Sequence, residues 1–260
     1  MSTALITGAS SGIGESFAYA LARRNYDLVL VARRQERLQT VAAKSREIGA
    51  GRTEIVPCDL AQSGSPSELR ERLGAATKVD CLINNAGFGT TGRFDRLAMA
   101  REIDEIELNV TALVALTRLF LPSMIERRQG TIINVASTAA FQPVPYMATY
   151  AATKAFVLSF TEAIAAETAG TGVRILALCP GPVRTEFQAV ARNETALMPS
   201  FAYLDADTVV RQALDAVARG RRIRINGVMN TAGAFAVRLL PRTLISTIAG
   251  RIYRNAGMAN

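Results

Sequence analysis

The chain has 260 residues, 49% apolar and 20% charged, with a formal charge of +8, which suits one sizeable soluble domain with a large core. It contains no histidine, which excludes Ser-His-Asp hydrolysis, histidine acid–base chemistry and most zinc sites. Its three cysteines, Cys58, Cys81 and Cys179, are too few and too scattered for a disulfide framework.

The first residues run straight into an apolar strand candidate, Thr3 to Thr7, with no basic segment ahead of a long apolar run. No stretch reaches the ~18 uninterrupted apolar residues of a spanning helix, so a cytoplasmic location is expected. The strand ends in Thr7-Gly8-Ala9-Ser10-Ser11-Gly12-Ile13-Gly14, and Glu15 to Arg24 reads as a helix. Strand, glycine-rich turn and helix place backbone N–H groups and a helix N-terminus around a phosphate. The glycines let the turn be tight and a pyrophosphate come close. Asp27 to Ala32 is a second strand, apolar enough to be buried on both faces. An acid at its end would hold a ribose 2′-hydroxyl. Ala32 stands there instead, followed by Arg33 and Arg34, and guanidinium groups suit a 2′-phosphate.

A helix over Gln35–Ile48 and a strand over Thr53–Pro57 lead to Cys58-Asp59-Leu60. Ser65-Pro66-Ser67-Glu68 has the form of a helix start, with Ser65 as N-cap and Glu68 closing a capping box. The strand Asp80–Ile83 ends in Asn84-Asn85-Ala86-Gly87. A helical stretch from about Ala98 to Arg127 carries Asn109 among apolar residues. Asparagine is a poor helix-interior residue, so a hydrogen-bonding role or a local break is expected there.

Strand Thr131–Val135 leads to Ala136-Ser137-Thr138 and a loop with Pro143 and Pro145. A helix from about Ala148 to Ala169 follows, and it carries Tyr150 and Lys154 four apart, on one face. A phenol ionises near pH ~10. A neighbouring positive charge should lower that value, so that the tyrosine exchanges a proton with an alcohol or carbonyl near neutrality. Strand Val173–Leu178 ends in Cys179-Pro180-Gly181-Pro182-Val183-Arg184-Thr185. The residues from about 186 to 204 read as a segment covering a pocket, with Phe187, Val190, Leu197, Met198, Phe201 and Leu204 offered to an apolar substrate or to the core. Asp205–Arg219 is a helix and Arg222–Ile225 a last strand. Alternating strands and helices predict an α/β doubly wound parallel sheet in which ligands bind beyond the carboxyl ends of the strands.

The tail, about 228–260, contains Ala234–Leu240 and Thr243–Tyr253, split by Pro241, with Leu244, Ile248 and Ile252 at amphipathic spacing. No acid follows Asp215, while Arg219, Arg221, Arg222, Arg224, Arg238, Arg242, Arg251 and Arg254 carry the whole charge excess. Such a tail suits an anionic membrane surface, an acidic group such as carrier phosphates, or a subunit interface with an arginine rim. Nucleic acid is not expected, since no reading motif accompanies the charge.

Thr7-Gly8-x-x-x-Gly12-x-Gly14, Asn84-Asn85-Ala86-Gly87, Asn109, Ser137, Tyr150-x-x-x-Lys154 and Pro180-Gly181 occur together in one order. In that order and spacing the chain resembles the short-chain dehydrogenase/reductase family along nearly its whole length. Val31-Ala32-Arg33-Arg34 and Phe141-Gln142-Pro143-Val144-Pro145 resemble a subgroup of bacterial NADP-dependent 3-oxoacyl and hydroxysteroid reductases. The resemblance implies a single Rossmann-like domain over 1–260 with strand order 3-2-1-4-5-6-7, no metal, and a homodimer or homotetramer. It implies a reversible reduction of a ketone or aldehyde, lipid-like in one reading, by NADP(H) rather than NAD(H). Tyr150 would be the general acid or base. Lys154 would lower its pKa and bind the nicotinamide ribose. Ser137 would stabilise the carbonyl oxygen and Asn109 would hold a relay water. Gly8, Ser10, Ser11, Gly12, Ile13, Gly14, Arg33 and Arg34 would take the phosphates. Asp59 and Leu60 would take the adenine, and Asn85, Ala86 and Gly87 the crevice. Pro180, Gly181, Val183 and Thr185 would meet the nicotinamide half. Ser11 departs from the basic residue that many NADP-using members carry before the middle glycine, which puts the phosphate clamp on Arg33, Arg34 and Ser10. The alternative is a non-catalytic NADP(H) sensor or docking protein on the same fold.

Overall fold

The computed structural model describes residues 1–74, 76–187, 203–237 and 239–255. Strands β1 (Thr3–Thr7), β2 (Asp27–Ala32), β3 (Thr53–Pro57), β4 (Cys81–Asn84), β5 (Gly130–Val135), β6 (Val173–Cys179) and β7 (Ile223–Ile225) form one sheet in the order β3-β2-β1-β4-β5-β6-β7. Every pairing is parallel, and Ile6 of β1 sits between Leu30 and Ile83. Parallel strands need crossovers, and the helices that supply them cover both faces. Successive side chains of a strand point to opposite faces. Ile6, Leu28 and Leu30 therefore pack under α1 (Gly12–Ala22), α2 (Gln35–Ile48) and, further along the sheet, α7 (Ala206–Ala218). Leu5, Val29 and Leu82 pack under α3 (Ser65–Leu73), α5 (Ala112–Glu126) and α6 (Ala148–Glu167). Each such burial stabilises by about 1.5–3 kcal/mol.

Two helix starts differ from the sequence expectation, and the break expected at Asn109 is present. Gly64, at φ 84°, takes the cap position of α3, and Ser65 is its first helical residue, so the capping box is not formed. Helix α1 begins at Gly12, directly on the glycine turn, three residues earlier than the apolar pattern suggests. The stretch Met99–Glu126 is long and apolar enough to cross a membrane by composition. It instead packs in this fold as α4 (Met99–Ile106) and α5, joined by a π turn over Glu107–Thr111 that contains Asn109. The break has a cause. The Asn109 amide donates to the Phe88 carbonyl at 2.9 Å and to Thr153 Oγ at 3.0 Å, and its oxygen accepts from Phe88 N at 3.1 Å. A π bulge is a common device for turning one helical side chain toward a site.

Asn84 has a structural part. Its amide donates to Asn134 Oδ1 at 2.9 Å and Thr117 Oγ at 3.1 Å, pinning β4 to β5 from inside the core. The covering segment lies outside the described residues between 188 and 202. Its two ends meet: Leu204 N donates to Pro182 O and Arg184 N to Leu204 O, with Val183 and Leu204 paired as a parallel bridge. The tail forms α8 (Val228–Ala236) and α9 (Arg242–Asn255). Ile245 and Ala249 are buried, while Leu244, Ile248 and Ile252 face solvent.

Candidate active site

The carboxyl ends of the strands open into one cleft of about 850 Å³. Gly8, Ser10, Ser11, Gly12, Ile13, Arg33, Arg34, Asp59, Leu60, Asn85, Ala86, Gly87, Ser137, Tyr150, Lys154, Pro180, Gly181, Val183 and Thr185 all line it. Gly14 and Asn109 do not. A Cβ on Gly14 would lie 2.2 Å from the Gly8 carbonyl oxygen, so this glycine serves the close packing of α1 on β1. Gly8 and Gly12 have φ of 65° and 59°, a backbone region that favours glycine. No side chain caps α1 at Ser11, so its first N–H groups and the positive end of the helix dipole suit an anion. Asn85 holds the turn in shape, its amide donating to the carbonyls of Thr7 and Gly8 at 2.9 and 3.2 Å.

At the β2 end, Arg34 Nη2 donates to Ser10 Oγ at 3.3 Å, Ser11 Oγ at 3.1 Å and Glu186 Oε2 at 2.8 Å. Arg37, one helical turn on, donates to Glu186 Oε1 at 3.2 Å. The hydrogen bond from Arg34 holds the Glu186 carboxyl below the usual carboxylate range. This corner therefore already binds one anionic group, the Glu186 carboxylate. The residues present fit a phosphorylated dinucleotide.

The opposite end sets a buried lysine beside a partly buried tyrosine. Lys154 is 5% exposed, and its ammonium donates to the Val135 carbonyl at 2.8 Å. That ammonium lies 5.8 Å from the Tyr150 ring centroid. Burial pulls Lys154 down to about 8, against the opposing charge of Glu105. For Tyr150 the expected lowering is reversed. Burial pushes the phenol up to about 12, the Ser137 hydrogen bond pulls back, and the charges of Glu105 and Tyr253 add to the rise. The lysine, itself buried and bonded to a backbone carbonyl, is not among the groups that lower the phenol. The Tyr150 ring packs against Phe187 with centroids 5.3 Å apart. Gly89 makes the room, since a Cβ there would come within 3.0 Å of the Tyr150 ring. A Cβ on Gly87 would lie 2.8 Å from Asn109 Oδ1 and 3.3 Å from Lys154 Nζ, so those two groups flank one small space.

Behind Tyr150 lies a carboxyl pair. Thr90 Oγ is 2.5 Å from Glu102 Oε1 and 2.9 Å from Glu105 Oε2, and Thr149, the residue before Tyr150, also hydrogen-bonds Glu102. A threonine hydroxyl carries one hydrogen, so one carboxyl must donate the other. Glu105 is fully buried, and burial raises its carboxyl to about 7, opposed by the Thr90 bond and aided by the Glu102 charge.

The family model described as short chain dehydrogenase matches residues 2–196. The chain is a short-chain dehydrogenase/reductase. This enzyme is thus an oxidoreductase that binds NAD(P)(H), and its strand order is the one the resemblance implies. It is 32% identical over 261 residues to the ketoacyl reductase HetN of Nostoc sp., covering 99% of this chain and 90% of that protein. It is 37% identical over 199 residues to a putative ketoacyl reductase of Streptomyces coelicolor, covering 73% of this chain and 74% of that one. A short-chain dehydrogenase from Sphingobium yanoikuyae, solved in complex with NADPH, superposes with a TM-score of 0.84 at 33% identity, over 95% of this chain and 96% of that one. A family member from Burkholderia phymatum, solved with NAD, superposes at 0.79 with 27% identity, over 90% and 91%.

Sequence reasoning missed Arg37, Glu186, Glu102, Glu105 and Tyr253 as parts of this reductase's site. Arg37 carried a signal, since it follows Arg34 by three residues on a helix. So did Glu105, four residues before Asn109. Tyr253 carried none: α9 brings it beside Val144, Met147, Ala151 and Tyr150 only through the tertiary fold.

Proposed function

We propose that the enzyme reduces a ketone or aldehyde with NADPH, Tyr150 giving its proton to the carbonyl oxygen as the alcohol forms. The observation that carries the reading is the joining, in one cleft, of a Tyr150–Ser137–Lys154 end to an anion-binding Arg34–Ser10–Ser11 corner. When bound, the cofactor supplies the hydride. Ser137 donates to the carbonyl oxygen while negative charge builds on it. Tyr150, held protonated by burial, completes the alcohol, and in the oxidation direction it takes the proton back. Lys154 holds the nicotinamide ribose, and the space it shares with Asn109 beside Gly87 suits a relay water. Asp59 and Leu60 take the adenine, and Arg33 and Arg34 the 2′-phosphate.

The other half of the cleft is apolar. Phe141, Val144, Met147, Phe187, Ala234 and Tyr253 line it, which supports a bulky, lipid-like carbonyl substrate. The names of the ketoacyl reductase relatives agree with that class. A panel of aliphatic, 3-oxoacyl and polycyclic ketones, read by NADPH and NADH absorbance in parallel, tests the reading. Turnover of an apolar ketone with NADPH preferred supports it. Cofactor binding with no turnover across the panel would favour the sensor alternative.

The exposed apolar residues support two contacts. Met99, Ile103 and Ile106 share one face of α4, with Phe156 exposed on the adjoining α6, and a second copy of this chain fits there. On the tail, Val228, Met229, Leu239, Leu244 and Ile248 are exposed beside arginines with no acid among them. An anionic membrane surface suits that pattern better than a second arginine-rich tail. Co-sedimentation of the full chain with anionic vesicles, and not with zwitterionic ones, is expected. No binding to either would leave this face to a partner subunit.

A further inference from the structure

We propose that Glu186 is a built-in rival of the cofactor's 2′-phosphate, and so sets how strongly the enzyme prefers phosphorylated over unphosphorylated dinucleotides. The proposal rests on the NADP reading above and adds a determinant to it. Glu186 Oε2 takes a hydrogen bond from Arg34 at 2.8 Å, and Oε1 takes one from Arg37 at 3.2 Å. The same Arg34 nitrogen faces Ser10 Oγ and Ser11 Oγ at 3.3 and 3.1 Å. That nitrogen carries two hydrogens for three acceptors, so it is already oversubscribed. A phosphate arriving at Arg34 must displace the carboxylate or share the arginine with it.

The rivalry is selective. A phosphate monoester brings nearly two negative charges and three acceptor oxygens, enough to replace one carboxylate. A ribose 2′-hydroxyl brings no charge and leaves the Arg34–Glu186 pair in place. Glu186 therefore taxes only ligands with a 2′-phosphate. The pair also crosses the cleft. Glu186 follows Thr185, whose methyl group lies against Gly12, while Arg34 stands beyond the end of β2.

Both ion pairs are about half exposed, at 45–49% of their side chains. Exposed pairs contribute little each, so the expected effect is about fivefold. The test is calorimetric titration of wild type and Glu186→Gln with adenosine 2′,5′-bisphosphate and with adenosine 5′-monophosphate. The bisphosphate should bind Glu186→Gln about fivefold more tightly than wild type, and the monophosphate equally to both. Glu186→Ala, which also removes the neutral acceptor, should show at least the same gain. A bisphosphate preference of equal size on all three proteins overturns the role of Glu186 and leaves the NADP reading intact. No preference for the bisphosphate on any of them overturns the NADP reading and this proposal with it.

Discussion

The two ends of the cleft handle charge in opposite ways. At the Arg34 end, half-exposed guanidinium groups meet a carboxylate directly, and solvent screens what they do. At the Tyr150 end, burial acts first: it raises a phenol to about 12, lowers an ammonium to about 8 and raises a carboxyl to about 7. The difference teaches where each kind of chemistry can sit. Recognition of a charged ligand tolerates water, whereas proton transfer needs protonation states set by a low dielectric.

The comparison can be broken at either end. At the Tyr150 end, Ser137→Ala removes the donor to the carbonyl oxygen and the bond that pulls the Tyr150 phenol down. We expect a loss of about 10²–10³ in kcat for ketone reduction, with NADPH binding unchanged by fluorescence titration. Glu105→Gln keeps an acceptor for Thr90 and removes the titration. The Glu105 carboxyl is raised from 4.5 to about 7 in the folded state, so the folded state holds that proton longer than the unfolded chain does. Its contribution to stability is present at low pH and lost as pH rises through that window. Wild type should therefore lose on the order of 2–3 kcal/mol more than Glu105→Gln between pH 4.5 and 7 in urea unfolding. Parallel curves for the two proteins would show that the Glu105 carboxyl is not raised by folding.

Lys154 sharpens the contrast further. Its charge is present below about 8 and lost above it. Log kcat/KM for reduction should be flat at neutral pH and fall by about one unit per pH unit above 8, well before the phenol titrates. The smallest effect belongs to the wet end. Arg34→Ala should raise the KM for NADPH about five- to tenfold and leave that for NADH nearly unchanged. Added salt should shrink the difference, as it should not for Ser137→Ala.

Most of the fold was legible because its signals are local. Continuous apolar runs, glycine turns and four-residue spacings name strands, phosphate turns and helix faces without reference to anything distant. Tyr150, Lys154, Ser137, Arg34 and the glycine turn were legible for that reason. The raised pKa of Tyr150 was not, because sequence spacing sees Lys154 nearby and cannot see that Lys154 is buried and Tyr150 partly so. Glu186 was not, because its partner lies 152 residues away in the chain. The orientation of the tail helix was not legible either. The spacing of Leu244, Ile248 and Ile252 names a face of α9, and only the packed structure shows that this face looks outward.

The most direct test of the whole account is Tyr150→Phe, followed by NADPH absorbance with whichever ketone wild type turns over best and by fluorescence titration of bound NADPH. The account predicts cofactor affinity within a few-fold of wild type and a reduction rate lower by at least about 10². Reduction at a rate near that of wild type, with the phenol oxygen gone, would contradict it.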